Sequence, residues 1–242
     1  MDGLLLLSRA DPTSRSGPNG ACVVGSGANC SGVPASVELE QLLSNGQPLS
    51  YVARSQVSLA TDNANNVVAT WWEGPAFGQE QVVAKRCNNS LSSCTFIDAQ
   101  CKRCLGGSNN QLQCTTDANC PGGFCQVRVF CPPAAPSGAQ RGKTSSVATD
   151  APGPTAPGNL LIGWQGNAND PSSSPVWTGF GRGFDSALAG LKKDFRLDLG
   201  GRSNVTSPRA ARSPFTQSYT MAWNDKRTAT PHVYTRVVGS AP

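Results

Sequence analysis

The strongest constraint in this 242-residue sequence is a stretch that returns. It runs as Val57-Ser-Leu-Ala-Thr-Asp62, an Asn-rich turn, Val67-Val-Ala-Thr-Trp71-Trp72-Glu73, a loop, and Val82-Val-Ala-Lys-Arg86. The second copy is Ser145-Ser-Val-Ala-Thr-Asp150, Asn159-Leu-Leu-Ile-Gly-Trp164-Gln165 and Val176-Trp-Thr-Gly-Phe-Gly-Arg182. The third is Pro208-Arg-Ala-Ala-Arg212, Ser218-Tyr-Thr-Met-Ala-Trp223-Asn224 and Val233-Tyr-Thr-Arg236. Trp71, Trp164 and Trp223 fall at one place in the pattern, and the sequence aligns Arg86, Arg182 and Arg236 at another. A unit that recurs buries its apolar faces against its own copies, so the repeat restricts the fold to stacked units.

Each copy is three apolar segments of four to seven residues, rich in β-branched and aromatic side chains, which suits strands. Asp62 to Asn66 and the Pro/Gly run 151–158 are turn chemistry. The apolar runs are nearly continuous, which predicts strands buried on both faces. The tryptophans are 93 and 59 residues apart, and the first interval contains a cysteine-rich block of 45 residues whose removal leaves 48. Several strands per period of about 40 to 50 residues is the pattern of propeller blades. A degenerate fourth copy is read in Gly3 to Leu7 and Val37 to Gly46, so that the chain begins inside a blade. The expected fold is all-β, with three to four propeller-like blades that need not close into a ring. The expected divisions are 1–86 (degenerate repeat and first full blade), 87–131 (disulfide-rich insert), 132–143 (Pro-rich linker) and 144–242 (second and third full repeats).

The pattern resembles bacterial secreted proteins built from propeller-like repeats of the form ala-x-asp … val-val-x-trp … val-x-x-arg, over residues 36–86 and 141–239. The resemblance implies an extracellular or surface setting and no defined activity. Trp72 beside Trp71, the Pro-rich turn and the insert depart from the pattern. Within the insert, Cys104-Leu-Gly-Gly-Ser-Asn109 and Cys114-Thr-Thr-Asp-Ala-Asn-Cys-Pro-Gly-Gly-Phe-Cys125 resemble a small module of secreted deltaproteobacterial-type proteins.

Ten cysteines and a single histidine favour disulfides and an oxidising compartment. The cysteines are Cys22, Cys30, Cys87, Cys94, Cys101, Cys104, Cys114, Cys120, Cys125 and Cys131. Local bridges are expected for Cys22 with Cys30 and for Cys87 with Cys94; the remaining six allow fifteen pairings. The start Met1-Asp-Gly-Leu-Leu-Leu-Leu has no basic region and too short an apolar core for a secretory signal, which points to a mature product or a fragment of a longer chain. Residues 1–100 carry 5 basic and 8 acidic groups, against 15 and 7 in the remainder, so the positive charge sits in the C-terminal half.

Candidate chemistry is sparse. Cys101-x-x-Cys104 with two further cysteines has the donors of a zinc site, but the setting favours structural bridges. Gly138-Ala-Gln-Arg-Gly-Lys143 is one residue short of a phosphate loop, and Gly179-Phe-Gly-Arg-Gly183 lies inside a strand, unlike a dinucleotide fingerprint. His232 has no nucleophile elbow to serve. The three arginines have the residue type of a sialidase carboxylate grip, yet no matching acidic box accompanies them; pairing between neighbouring blades is the expected role. Asp62 to Asn66 offers one carboxylate, weak for calcium. The sequence therefore predicts a secreted or cell-surface, non-enzymatic binding, adhesion or structural module, without cofactor or metal. The alternatives are a subunit of an extracellular filament or sheath, and a sialidase-like glycan hydrolase. Expected partners are a protein or glycan surface, or further copies joined through open sheet edges, with no specific nucleic acid and no membrane span.

Overall fold

The computed structural model describes residues 6–7, 37–38, 53–74, 81–89, 92–97, 102–109, 112–127, 142–150, 158–167, 177–191, 195–197, 205–213, 218–226 and 230–239. Cys22, Cys30, Cys101 and Cys131 lie outside these residues. The strands are β1 (Leu6–Leu7), β2 (Val37–Glu38), β3 (Ala53–Thr61), β4 (Val67–Gly74), β5 (Gln81–Cys87), β6 (Cys94–Phe96), β7 (Lys102–Gly106), β8 (Gly123–Val127), β9 (Gly142–Thr149), β10 (Leu160–Asn167), β11 (Trp177–Phe184), β12 (Phe195–Arg196), β13 (Val205–Arg212), β14 (Tyr219–Asp225) and β15 (His232–Val238). The chain is all-β and propeller-like. Blade one is the antiparallel sheet β3-β4-β5-β6, blade two is β9-β10-β11-β12, and blade three is β13-β14-β15. β1-β2 and β7-β8 form two further antiparallel pairs. Of the leucine run, Leu6 pairs with Glu38 and Leu7 with Val37.

Each blade is shaped by the same local devices. The Asp62 carboxylate accepts from the Asn66 backbone N–H at 2.9 Å and from its side-chain amide at 3.0 Å, closing the first hairpin. The Asp150 carboxylate accepts from the Asn159 N–H at 2.7 Å across the longer Pro/Gly turn. Ser213 donates its N–H to the Ser218 carbonyl at the corresponding place. Counting back from these closures, the first strand of every blade carries a register shift, at Ser55/Ser58, opposite Gly163/Gln165, and at Thr206/Arg209. Thr144 and Ser207 sit there with φ of 41° and 51°. A bulge bends the first strand and strengthens its twist.

The blades stack because alternate residues of each second strand face opposite neighbours. Val68, Val82, Ala84 and Ile97 of blade one meet Val147, Leu160, Ile162, Trp164 and Phe184 of blade two. On the other side of blade two, Ala148, Leu161 and Leu197 meet Val205, Tyr219, Met221 and Trp223 of blade three. The tryptophan of a blade therefore faces the blade before it. Trp71 has the same orientation and is buried with Ala69, Val83 and Cys87 on the face turned away from blade two. Gly163 leaves room for Met221 at the second joint, since a Cβ there would lie 2.0 Å from Met221 Cε.

Three expectations change. The boundary at residue 87 moves, because Cys87 ends β5 and Cys94–Phe96 forms the fourth strand of blade one. The linker ends sooner, since Gly142 and Lys143 already belong to β9. The strands are not all buried on both faces: residues 232–237 of β15 are exposed throughout.

Candidate functional site

The three arginines do not share one place. Across the sheets Trp71 pairs with Val83, Trp164 with Phe180 and Trp223 with Tyr234. Two residues on in each third strand come Lys85, Arg182 and Arg236, so Arg86 is one residue out of step with the other two. In a strand that offset reverses the face. Lys85 Nζ lies 4.4 Å from the centre of the Phe96 ring, Arg182 Cζ 5.3 Å from Phe184, and Arg236 Cζ 5.6 Å from Phe195. These cations cover aromatic faces, an electrostatic attraction to the ring quadrupole.

Arg86 points the other way, into blade two. Its Nη1 donates to the Ser186 carbonyl oxygen at 2.6 Å and its Nη2 to that of Gly158, while Nε lies 3.8 Å from Asp62. Burial lowers the guanidinium pKa, and Asp62, Asp185 and Asp150 oppose that shift. A buried cation held by two carbonyls and encircled by carboxylates is a joint between blades. Nothing in this arrangement directs the guanidinium to a ligand.

The β7-β8 module is held by crossed disulfides, Cys104–Cys120 and Cys114–Cys125, while Cys87–Cys94 closes the end of blade one. Among the described residues no cysteine is free. The sulfurs of Cys104, Cys114 and Cys120 lie within 4.8 Å of one another. All three are disulfide sulfurs, whereas zinc takes thiolates. The Asp117 carboxylate accepts from the Cys125 N–H at 2.8 Å, and the Asn119 side chain gathers the Thr115 and Thr116 N–H groups. The module is thus built on backbone satisfaction in a piece too small to carry a core. Three disulfides among the described residues favour an oxidising environment, and no helix among these residues is long and apolar enough to cross a membrane.

Lys143 and Thr144 lie in a strand, not at a helix start. His232 opens β15, exposed and edge-on to Tyr234 at 6.3 Å.

The distinctive surface is blade three. In the first joint Ser58 Oγ accepts the Val147 N–H at 3.4 Å; in the second Ser146 Oγ accepts the Ala210 N–H at 2.9 Å. Both serines stand four residues before the turn-closing Asp62 and Asp150. Four residues before Ser213 stands Arg209, exposed and with donors only. The face that blade three turns away from blade two carries Arg209, Ala211, Thr220, Ala222, Asn224, Val233, Thr235 and Val237, read from the cross-strand register. Val233 is 72% and Val237 68% exposed. Blades one and two each have a fourth strand; among the described residues blade three has three. Sequence reasoning did not single out Arg209, Lys85 or the open face. The substitution of arginine for the repeat serine was the available signal.

No family model matches the chain, and no curated protein matches it. Among solved structures it is similar to an α-L-arabinanase of Penicillium chrysogenum complexed with arabinobiose, at 10% identity and a TM-score of 0.41. The match covers 84% of this chain and 46% of that one, so the chain spans about half the length of the arabinanase. This corrects the expectation that the chain is not an enzyme, since the similar structure is an enzyme.

Proposed function

We propose that this chain is a secreted or cell-surface module that acts by binding or assembly, and that the outward face of blade three with its last strand is the binding element. The observation that supports this is the contrast between the joints. Ser58 and Ser146 accept a backbone N–H from the next blade, and the third position is Arg209, which accepts nothing. Blade three is thus altered where a further blade of the same kind would dock, while it still presents Val233 and Val237 to solvent. Exposed β-branched residues bordered by a guanidinium suit a protein surface rich in acceptors. A glycan surface is the second partner class.

The experiment is binding of the disulfide-intact chain to intact cells that produce it and to a glycan array. Each is compared with the double variant Val233→Lys, Val237→Lys. Both positions are exposed, so the fold should tolerate the change to within about 0.5 kcal/mol. Loss of binding by tenfold or more is expected. Binding that the variant retains in full would remove blade three from the function. The same preparation is assayed for release of reducing ends from arabinan; release would move the reading to glycan cleavage.

A further inference from the structure

We infer that β15 pairs with β15 of a second copy of this chain, antiparallel about a two-fold axis through Thr235; the inference rests on the reading that blade three is the binding element. Blades one and two both extend their third strand with an antiparallel fourth, β6 and β12. Among the described residues β15 pairs with β14 alone, in unbroken register from His232 to Val238. It contains no lysine, no proline and no bulge, and its one arginine, Arg236, is turned to blade two, over the Phe195 ring and donating to the Arg196 carbonyl. Its sequence supplies the complement that an edge needs. Centred on Thr235, the two-fold register sets Arg236 opposite the second copy's Tyr234, Val237 opposite Val233, and Val238 opposite His232. Directly opposed residues share a face, so the two most exposed valines meet each other on the outward face. On the other face Arg236, which already covers the Phe195 ring of its own chain, is set opposite the aromatic Tyr234 of the second copy. Blade one already uses that arrangement where Lys85 stands opposite Phe96, with Nζ 4.4 Å from the ring centre. The pairing would continue a three-stranded sheet into one of six strands, and because the contact is isologous it closes at two copies.

The test is sedimentation of the full, disulfide-intact chain together with two single-cysteine variants. Directly opposed residues in antiparallel strands have Cα atoms about 4.5 to 5.5 Å apart, within disulfide range. Thr235→Cys on the axis should therefore link two copies on mild oxidation. Val233→Cys alone should not, because the two copies of residue 233 would be about 13 Å apart, but mixed with Val237→Cys it should. Peptide mapping of each variant checks that the native bridges have formed. The contact is at the small end of interfaces, so a monomer–dimer equilibrium that shifts with concentration is expected. Three results would overturn the pairing: a monomer up to about 0.3 mM, open-ended polymers, or equal linking of Val233→Cys and Thr235→Cys. A monomer whose cell binding is still lost in the double valine variant would sink the pairing and leave the binding element standing. Retained binding in that variant would sink the binding element instead.

Discussion

Arg86 donates a hydrogen bond to the carbonyl oxygen of Gly158, 72 residues further along, and so fastens blade one to the turn that closes blade two. Asp62 and Asp150 organise the two hairpins that this cation touches, and their carboxylates help to keep it charged. The joint is therefore both apolar, through Val68, Ile162 and Trp164, and ionic at one end.

Replacing Arg86 by Met should destabilise the chain by about 2 to 4 kcal/mol, because it leaves the buried Asp62 carboxylate without its counter-charge and two carbonyls without their donor. Arg86→Lys should recover little, since an ammonium lacks the planar fork that reaches Gly158 and Ser186 together. Urea denaturation, read as the shift in midpoint, checks both.

Trp164→Ala and Trp223→Ala should each cost about 3 to 5 kcal/mol by opening a cavity between blades. Trp71→Ala should cost a similar amount, since that ring is as deeply buried as Trp164. Melting temperatures of the three variants give the comparison; an unchanged value for any one would show that its ring lies outside a packed joint.

Much of this architecture is legible in the sequence because it is written in residues that do one thing. Asp62 and Asp150 recur before a turn, and each closes that turn. Trp71, Trp164 and Trp223 recur within an apolar run; Trp164 and Trp223 face the preceding blade, and Trp71 takes the matching face of blade one. The arginines misled for a physical reason: Lys85 and Arg86 are adjacent cations, and residue type cannot reveal which faces which neighbour when a one-residue offset reverses the face. Blade three's open face was hidden more deeply. Val233-Tyr-Thr-Arg236 reads like the buried strands, and only the presence or absence of a neighbouring sheet decides its exposure. Nor does cysteine spacing choose among pairings; the crossed bridges follow from how β7 and β8 bring their loops together.

Non-reducing peptide mapping should recover Cys87–Cys94, Cys104–Cys120 and Cys114–Cys125 as linked peptides. Reduction should release the β7-β8 module first, because it has little but its bridges to hold it. Blade stability, followed by tryptophan fluorescence, should fall later. A map in which Cys104 is joined to Cys114 or Cys125 would reject the crossed arrangement.

Gly163→Ala should cost about 1 to 3 kcal/mol through overpacking against Met221. Met221 is flexible at the clashing end, so pairing the change with Met221→Ala should cost less than the sum of the two single changes. A double-mutant cycle by urea denaturation reads the coupling; strict additivity would mean that the two residues do not meet across the joint.

Tyr219 gives the joint between blades two and three a pH dependence. Its hydroxyl donates to the Asn159 carbonyl at 3.0 Å. Burial first, and the nearby Asp150 carboxylate second, raise the phenol pKa well above its ordinary value near 10. The folded chain therefore holds this proton more tightly than the unfolded chain does. The stabilisation is complete below pH 10, where both states are protonated, and is lost as pH rises above 10, because there the unfolded chain releases the proton and the folded chain does not. Tyr219→Phe removes the group from both states. It should cost about 0.5 to 1.5 kcal/mol at neutral pH through the lost hydrogen bond, and should lose less stability than the wild type between pH 9 and 11. Stability measured by urea at several alkaline pH values supplies the test, and parallel curves for the two proteins would remove Tyr219 from the account.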